Sequence, residues 1–165
     1  MALNAIEIGG STVKVLVVYD TVSEAKVTSK VAEAVVEGLK TKGLTVDSFF
    51  VEEAGKVKAQ DYDCLIVGAP TMAWRPSKRM KAYLAGLKGG SFSGKKAASF
   101  DTQMKSSFSG DATKHMDKTL QSLGFAVQSP SLLAYVVSEE KKYKLKEGEL
   151  EKAKAWAGDL AGKLK

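Results

Sequence analysis

The sequence predicts a doubly wound α/β domain, a five-stranded parallel sheet with helices on both faces. Three observations carry that expectation. Short β-branched runs alternate five times with amphipathic segments, the pattern of parallel strands joined by right-handed crossovers. Two of the runs, 13–19 (VKVLVVY) and 64–68 (CLIVG), are almost wholly apolar, as strands covered on both faces must be. The chain has 165 residues, 44% of them apolar, which suits one domain of about 100–200 residues whose core needs no crosslinks.

The elements follow in order. Residues 13–19 form the first strand. Residues 28–42 carry Val31, Val35, Val36 and Leu39 at helical spacing, with Gly43 as a left-handed stop. Residues 45–51 are a second strand, and the polar stretch 52–60 holds at most a short helix. After the third strand, 64–68, residues 69–76 read as a loop. Pro76 suits the first turn of a helix reaching about Leu87, with Met80, Tyr83, Leu84 and Leu87 inward. Gly89, Gly90 and Gly94 make a turn before a fourth strand at 95–101, and 102–110 is a polar loop. The next helix, 111–123, lines up Ala112, Met116, Leu120 and Leu123 and stops at Gly124. A fifth strand begins at 125–128 and resumes at 132–137 beyond Pro130. A charged loop, 139–146, then leads to a final helix at 149–164. Residues 1–12 lie outside the domain of 13–165 as a leader or an arm. Within them 5–8 reads as a short extra strand and Gly9-Gly10 as a joint.

Several function classes are excluded by composition. A single cysteine, Cys64, forms no intrachain disulfide and suits a reducing, cytoplasmic setting. No run approaches the roughly 20 apolar residues of a membrane helix. Gly89 to Lys95 spells the start of a nucleotide-phosphate loop, but Lys96 stands where Ser or Thr must hold magnesium, and the glycines precede a strand instead of following one. His115 is the sole histidine and sits mid-helix beside the apolar stripe, so relays and multi-histidine metal sites have little to draw on. Cys64 opens a buried strand, where thiols are inert filler. Asp61 and Asp63 flank the amino end of the third strand, the wrong edge for chemistry. A phosphate-accepting receiver domain needs an Asp where the third strand ends, and here stand Val67-Gly68-Ala69-Pro70.

The net charge is +6, and its distribution matters more than its sum. Between Asp63 and Asp101 there is no acidic residue, while Arg75, Lys78, Arg79, Lys81, Lys88, Lys95 and Lys96 are all positive. The remainder of the chain is therefore nearly neutral. Such a stretch is either a solvated face or a docking surface for an acidic partner or a phosphate. With Tyr83 as its one interleaved aromatic and no recognition motif, it does not read as a nucleic-acid surface.

In doubly wound sheets ligands bind beyond the carboxyl ends of the strands, where the winding reverses. The loops after strands one, three and four are therefore the candidate site. Loop one carries Thr21, Val22, Ser23 and Lys26 and runs into Thr28 at a helix start, an arrangement suited to an anion. The same Thr28, or Ser29, equally serves as an ordinary cap. Loop two holds Pro70, Thr71, Met72, Ala73 and Trp74. Its indole either stacks on a planar ring or folds back onto the following helix. Loop three begins at Asp101, Thr102 and Gln103.

These residues resemble a family. Val15 to Asp20 with Val31-Ala32-Glu33-Ala34, Val67-Gly68-Ala69-Pro70-Thr71, Arg75-Pro76-Ser77-Lys78, Ser99-Phe100-Asp101-Thr102, Leu123-Gly124-Phe125-Ala126-Val127 and Leu145-Lys146-Glu147-Gly148-Glu149-Leu150 are similar to flavodoxins and flavodoxin-like proteins of archaea and bacteria. The resemblance covers almost everything from Val13 onward. It implies a flavodoxin-like sheet of order 2-1-3-4-5 and a noncovalent FMN, in an electron carrier or small flavin-dependent oxidoreductase. The phosphate is then expected on Thr21, Val22, Ser23, Lys26 and Thr28. The ring is expected between loops two and three, with Trp74 stacked near it and Pro70, Thr71, Met72, Ala73, Asp101, Thr102 and Gln103 around it. The expected partner is an acidic redox protein, such as a ferredoxin, or a nicotinamide nucleotide. Three departures stand out. The family's phosphate loop reads Tyr-x-Ser/Thr-x-x-Gly-Asn-Thr, whereas Tyr19-Asp20-Thr21 is followed here by a longer stretch that has neither the Gly nor the Asn and adds Glu24. Loop two also lacks glycine, and the chain is basic where electron-carrying flavodoxins tend to be acidic. A flavodoxin-like fold without cofactor, acting as a binding module, is the alternative function.

Overall fold

The computed structural model describes residues 12–22, 25–72, 74–104 and 110–165. The expected strand at 5–8, residues 1–11 of the expected leader or arm, and Ser23 and Ala73 of the expected site lie outside them. Five parallel strands make the body of the sheet: β2 (Thr45–Phe50), β1 (Lys14–Tyr19), β3 (Cys64–Met72), β5 (Lys96–Met104) and β7 (Leu132–Glu139), side by side in that order. This is the order 2-1-3-4-5 for the five main strands. Three short strands extend it. β4 (Arg75–Pro76) folds antiparallel onto the end of β3, β6 (Ala126–Val127) pairs with the start of β5, and β8 (Lys142–Leu145) runs antiparallel along the outer edge of β7.

The side chains of each strand alternate between two cores, because successive residues of a strand point to opposite faces. From β1, Val15 and Val17 pack under helices α1 (Val27–Lys40) and α4 (Glu149–Leu164), with Ile66, Ala98, Phe100 and Leu132 of neighbouring strands. Leu16 and Val18 pack on the other face. There, α2 (Lys78–Ala85) contributes Met80 and Leu84, and α3 (Ala112–Ser122) contributes Met116 and Leu120. The helix spacings read in the sequence are thus core stripes. Two 3₁₀ turns, Val51–Lys56 and Ala59–Asp61, occupy the polar stretch where at most a short helix was expected.

Three boundaries differ from expectation in ways that shape the carboxyl edge. β3 does not stop at Gly68 but continues to Met72, and β5 continues to Met104. Each keeps its ladder partners to Pro70 and Thr102, so backbone pairing outlasts the apolar run that marked the strands. The segment 69–76, expected as a loop, is a strand end and a return strand. As expected, the fifth strand is split at Pro130, which supplies no N–H, and its two halves pair with successive parts of β5. The charged loop expected at 139–146 is instead a tight hairpin. Glu140 and Lys141 adopt φ of 50° and 67° between the paired Glu139 and Lys142, the two-residue turn whose twist matches antiparallel strands.

Candidate functional site

Loop one is clamped at its first residue. Asp20 is fully buried, and its carboxylate accepts hydrogen bonds from Ser77 Oγ at 2.5 Å, Arg79 Nε at 3.2 Å and Arg79 Nη2 at 2.7 Å. Arg79 Nη2 also donates to the carbonyl of Thr21 at 3.2 Å. A bidentate guanidinium on a buried carboxylate fixes direction as well as distance. The start of α2 therefore holds the start of loop one. Arg79, counted in the sequence among the positive charges of the acid-free stretch, is paired with buried Asp20 although 41% of its side chain stays exposed.

Beyond the clamp the loop is less satisfied. Among the described residues the buried Thr21 hydroxyl has no hydrogen-bond partner. Lys26 precedes α1 in the left-handed conformation, φ 51°, and no side chain caps the helix. Thr28 does not cap the helix; its hydroxyl lies 2.7 Å from that of Thr102 and ties α1 to β5. In contrast, α2 is capped by Ser77, α3 by Asp111, and α4 has Glu149 and Glu151 in its first turn. Helix α1 has no acid there. Its first N–H groups and its dipole are uncompensated among the described residues.

Against this helix start opens a cavity of ≈230 Å³ at the carboxyl ends of β3, β5 and β7. It is lined by Val22, Val27, Thr28, Pro70, Thr71, Met72, Thr102, Gln103, Met104, Val136 and Tyr143. The large apolar side chains most exposed on the described surface are Val22, Met72, Trp74, Met104 and Tyr143, 37–52% exposed. Four of these five line this cavity. The molecule thus gathers its exposed apolar surface around one hollow, the usual mark of a ligand or docking site.

Solved structures share this arrangement of chain. An archaeal flavodoxin superposes with a TM-score of 0.74 at 23% identity, covering 92% of this chain and 98% of that one. Flavodoxin 1 from Bacillus cereus gives 0.74 at 18% identity over 90% and 97%.

The chain has the flavodoxin-like fold.

A flavodiiron protein from Giardia intestinalis contains the same fold within a longer chain, with a TM-score of 0.73 at 20% identity, over 92% of this chain and 36% of that one. No family profile and no curated protein matches the sequence.

On this flavodoxin-like scaffold the expected site residues divide into three groups. Val22, Thr28, Pro70, Thr71, Met72, Thr102 and Gln103 meet at the cavity. Thr21 and Lys26 lie in loop one beside it. Asp101 and Trp74 stand apart. Asp101 is fully buried beneath the cavity wall, and its Oδ2 accepts from Thr71 Oγ1 at 2.6 Å, Gln103 Nε2 at 2.7 Å and the Ala112 amide at 3.3 Å, while Oδ1 has no partner among the described residues. Burial pushes its pKa up to about 7 against the pull of those donors, and nearby Asp111 adds to the rise. Asp101 thus positions two lining side chains from below. The indole of Trp74 lies over Gly110, where a Cβ would overlap the ring. Gly110 has φ 76° and no side chain, and both properties are used.

Four lining residues were not singled out in the sequence: Val27, Met104, Val136 and Tyr143. The run Tyr143-Lys144-Leu145 alternates as a strand should, but its turn is Glu140-Lys141 in place of the Asn-Gly or Asp-Gly that marks a hairpin. Elsewhere, burial raises the Cys64 thiol to about 12, so it is not a nucleophile near neutral pH. His115 is exposed on α3. Its pKa is lowered by partial burial and by the nearby charges of Lys81, Arg75 and Lys118. The basic stretch does not form one face. Lys95 and Lys96 lie at the amino edge of the sheet, where they donate to the carbonyls of Tyr62 and Lys163.

Proposed function

We propose that this flavodoxin-like chain is a redox protein that holds FMN at the carboxyl edge of its sheet. One observation carries the reading: an apolar-walled cavity ends on the uncompensated N-terminus of α1. A flavin mononucleotide has the matching chemistry, a flat apolar ring joined to a dianionic phosphate. The buried Thr21 hydroxyl, unpartnered among the described residues, supplies a donor at the phosphate end. On this reading, Thr21, Lys26 and the first amides of α1 hold the phosphate. Pro70, Met72 and Thr102 lie along the ring, and Thr71 and Gln103, held by Asp101, orient it by hydrogen bonds. Bound FMN supplies one- or two-electron transfer, while the protein's part is to bind, orient and exclude water. The absence of Gly and Asn from loop one argues for weaker phosphate binding than the family's usual loop provides. A reducing cytoplasmic setting and an acidic redox partner complete the proposal.

The test is a titration of flavin-stripped protein with FMN and with riboflavin, followed by flavin fluorescence. Saturable quenching at micromolar FMN, with riboflavin at least tenfold weaker, is the expected result. No saturable change up to high micromolar FMN would remove the reading. The cofactor-free binding module would then take its place, since exposed Val22, Met72 and Trp74 suit a protein surface as well.

A further inference from the structure

The cavity has one aromatic wall among its described lining residues, and that wall comes from an element outside the alternating strand and helix pattern. In the β7–β8 hairpin, Ser138 pairs with Tyr143 and Val136 with Leu145. Since alternate residues share a face, Val136, Tyr143 and Leu145 all lie on the side of α1. Leu145 packs against the core between α1 and α4, and Val136 lines the cavity. Tyr143 stands one place further out along the same row, 50% exposed, at the mouth of the cavity.

Tyr143 also lines a second hollow, ≈740 Å³, together with Ala25 and the rest of residues 139–144. The phenol is therefore shared by two open volumes. Trp74, the aromatic of loop two, is committed to Gly110 and lines neither hollow. The hairpin tip holds two consecutive non-glycine residues at positive φ, a conformation adopted only against steric resistance. That turn sets the register that puts Tyr143 opposite Ser138.

We propose that Tyr143 is the aromatic face on which the planar ring of the ligand rests, across from Pro70 and Met72 at the end of β3. This rests on the FMN reading above and names the residue that sets its selectivity for a flat ring. A half-exposed aromatic with open space before it gains most from being covered by another π-system.

The experiment uses the full chain, stripped of flavin and titrated with FMN in the wild type and in Tyr143→Ala, Tyr143→Leu and Tyr143→Phe. The Ala and Leu variants are expected to bind FMN at least tenfold more weakly and to quench its fluorescence less. The Phe variant is expected to stay within threefold of wild type. Leu keeps apolar bulk on the edge strand, so it separates loss of the aromatic face from loss of hairpin packing, and it decides the matter if the Ala variant does not fold. Wild-type affinity in the Leu variant overturns the proposal while leaving the FMN reading intact. So does a Phe variant as weak as Ala, which would make the hydroxyl the contact. A wild type that does not bind FMN at all removes both.

Discussion

Asp101 shows how one buried residue couples the site to pH. Its carboxyl is raised from 3.8 to about 7 in the fold. Between about pH 4 and pH 7 the folded chain keeps a proton that the unfolded chain has lost, so this contribution to stability is lost as pH rises through that window and is level above it. At about 1.4 kcal/mol per unit, the effect is on the order of 4 kcal/mol. Asp101→Asn cannot titrate, so urea melts from pH 4.5 to 8 are expected to show a shallower decline than wild type. Parallel profiles for the two proteins would mean that Asp101 titrates normally. The sequence placed Asp101 at the end of a strand but not beneath the cavity. Nothing in a one-dimensional pattern shows that Thr71, Gln103 and the Ala112 amide converge on one oxygen. Arg79 carries the same lesson. It follows the exposed cation Lys78 in the chain, and only packing reveals that Asp20 claims it.

At the scale of elements, helix stripes were readable and edges were not. Val31, Val35 and Leu39, like Met116 and Leu120, repeat at helical spacing and are buried. The closeness of α1 to α4 was not readable. A Cβ at Gly38 would fall 2.6 Å from the Lys154 carbonyl oxygen and 2.8 Å from the Ala157 Cβ, so the two helices meet backbone to backbone. Gly38→Ala ordinarily favours a helix, by up to about 1 kcal/mol. Here the forced separation is expected to outweigh that and destabilise by about 1–3 kcal/mol, the range for overpacked cores. Urea denaturation checks it, and a variant as stable as wild type would show that α4 shifts freely. The β7–β8 hairpin was missed for a different reason. Charge and an unusual turn dominate its sequence, while its strand character rests on pairing with β7.

For the whole molecule the argument is electrostatic. Of the seven cations in the acid-free stretch, Arg79 is tied to Asp20, and Lys95 and Lys96 sit at the far edge. Arg75 and Lys78 remain exposed near the site, and Arg75 and Lys81 with Lys118 act together on His115. Such a field steers an acidic partner. Association with an acidic redox protein such as a ferredoxin is expected to slow at least tenfold as salt rises from 0.1 M to 1 M, where the Debye length shrinks from about 10 Å to about 3 Å. Arg75→Glu with Lys78→Glu should slow it further at low salt and change little at high salt. Stopped-flow rates that ignore both salt and the double reversal would make the patch plain solvated surface.

The order of strands and helices, the two-faced burial of the central strands and the edge that carries the site follow from the sequence alone, since each depends on local periodicity and on the handedness of crossovers. Where β3 and β5 end, which cations are spent, and that Tyr143 stands over the cavity while Trp74 turns to Gly110 were decided by the tertiary structure. Ladder pairing, ion pairing and side-chain direction are relations between residues far apart in the chain, and periodicity within one segment carries no trace of them.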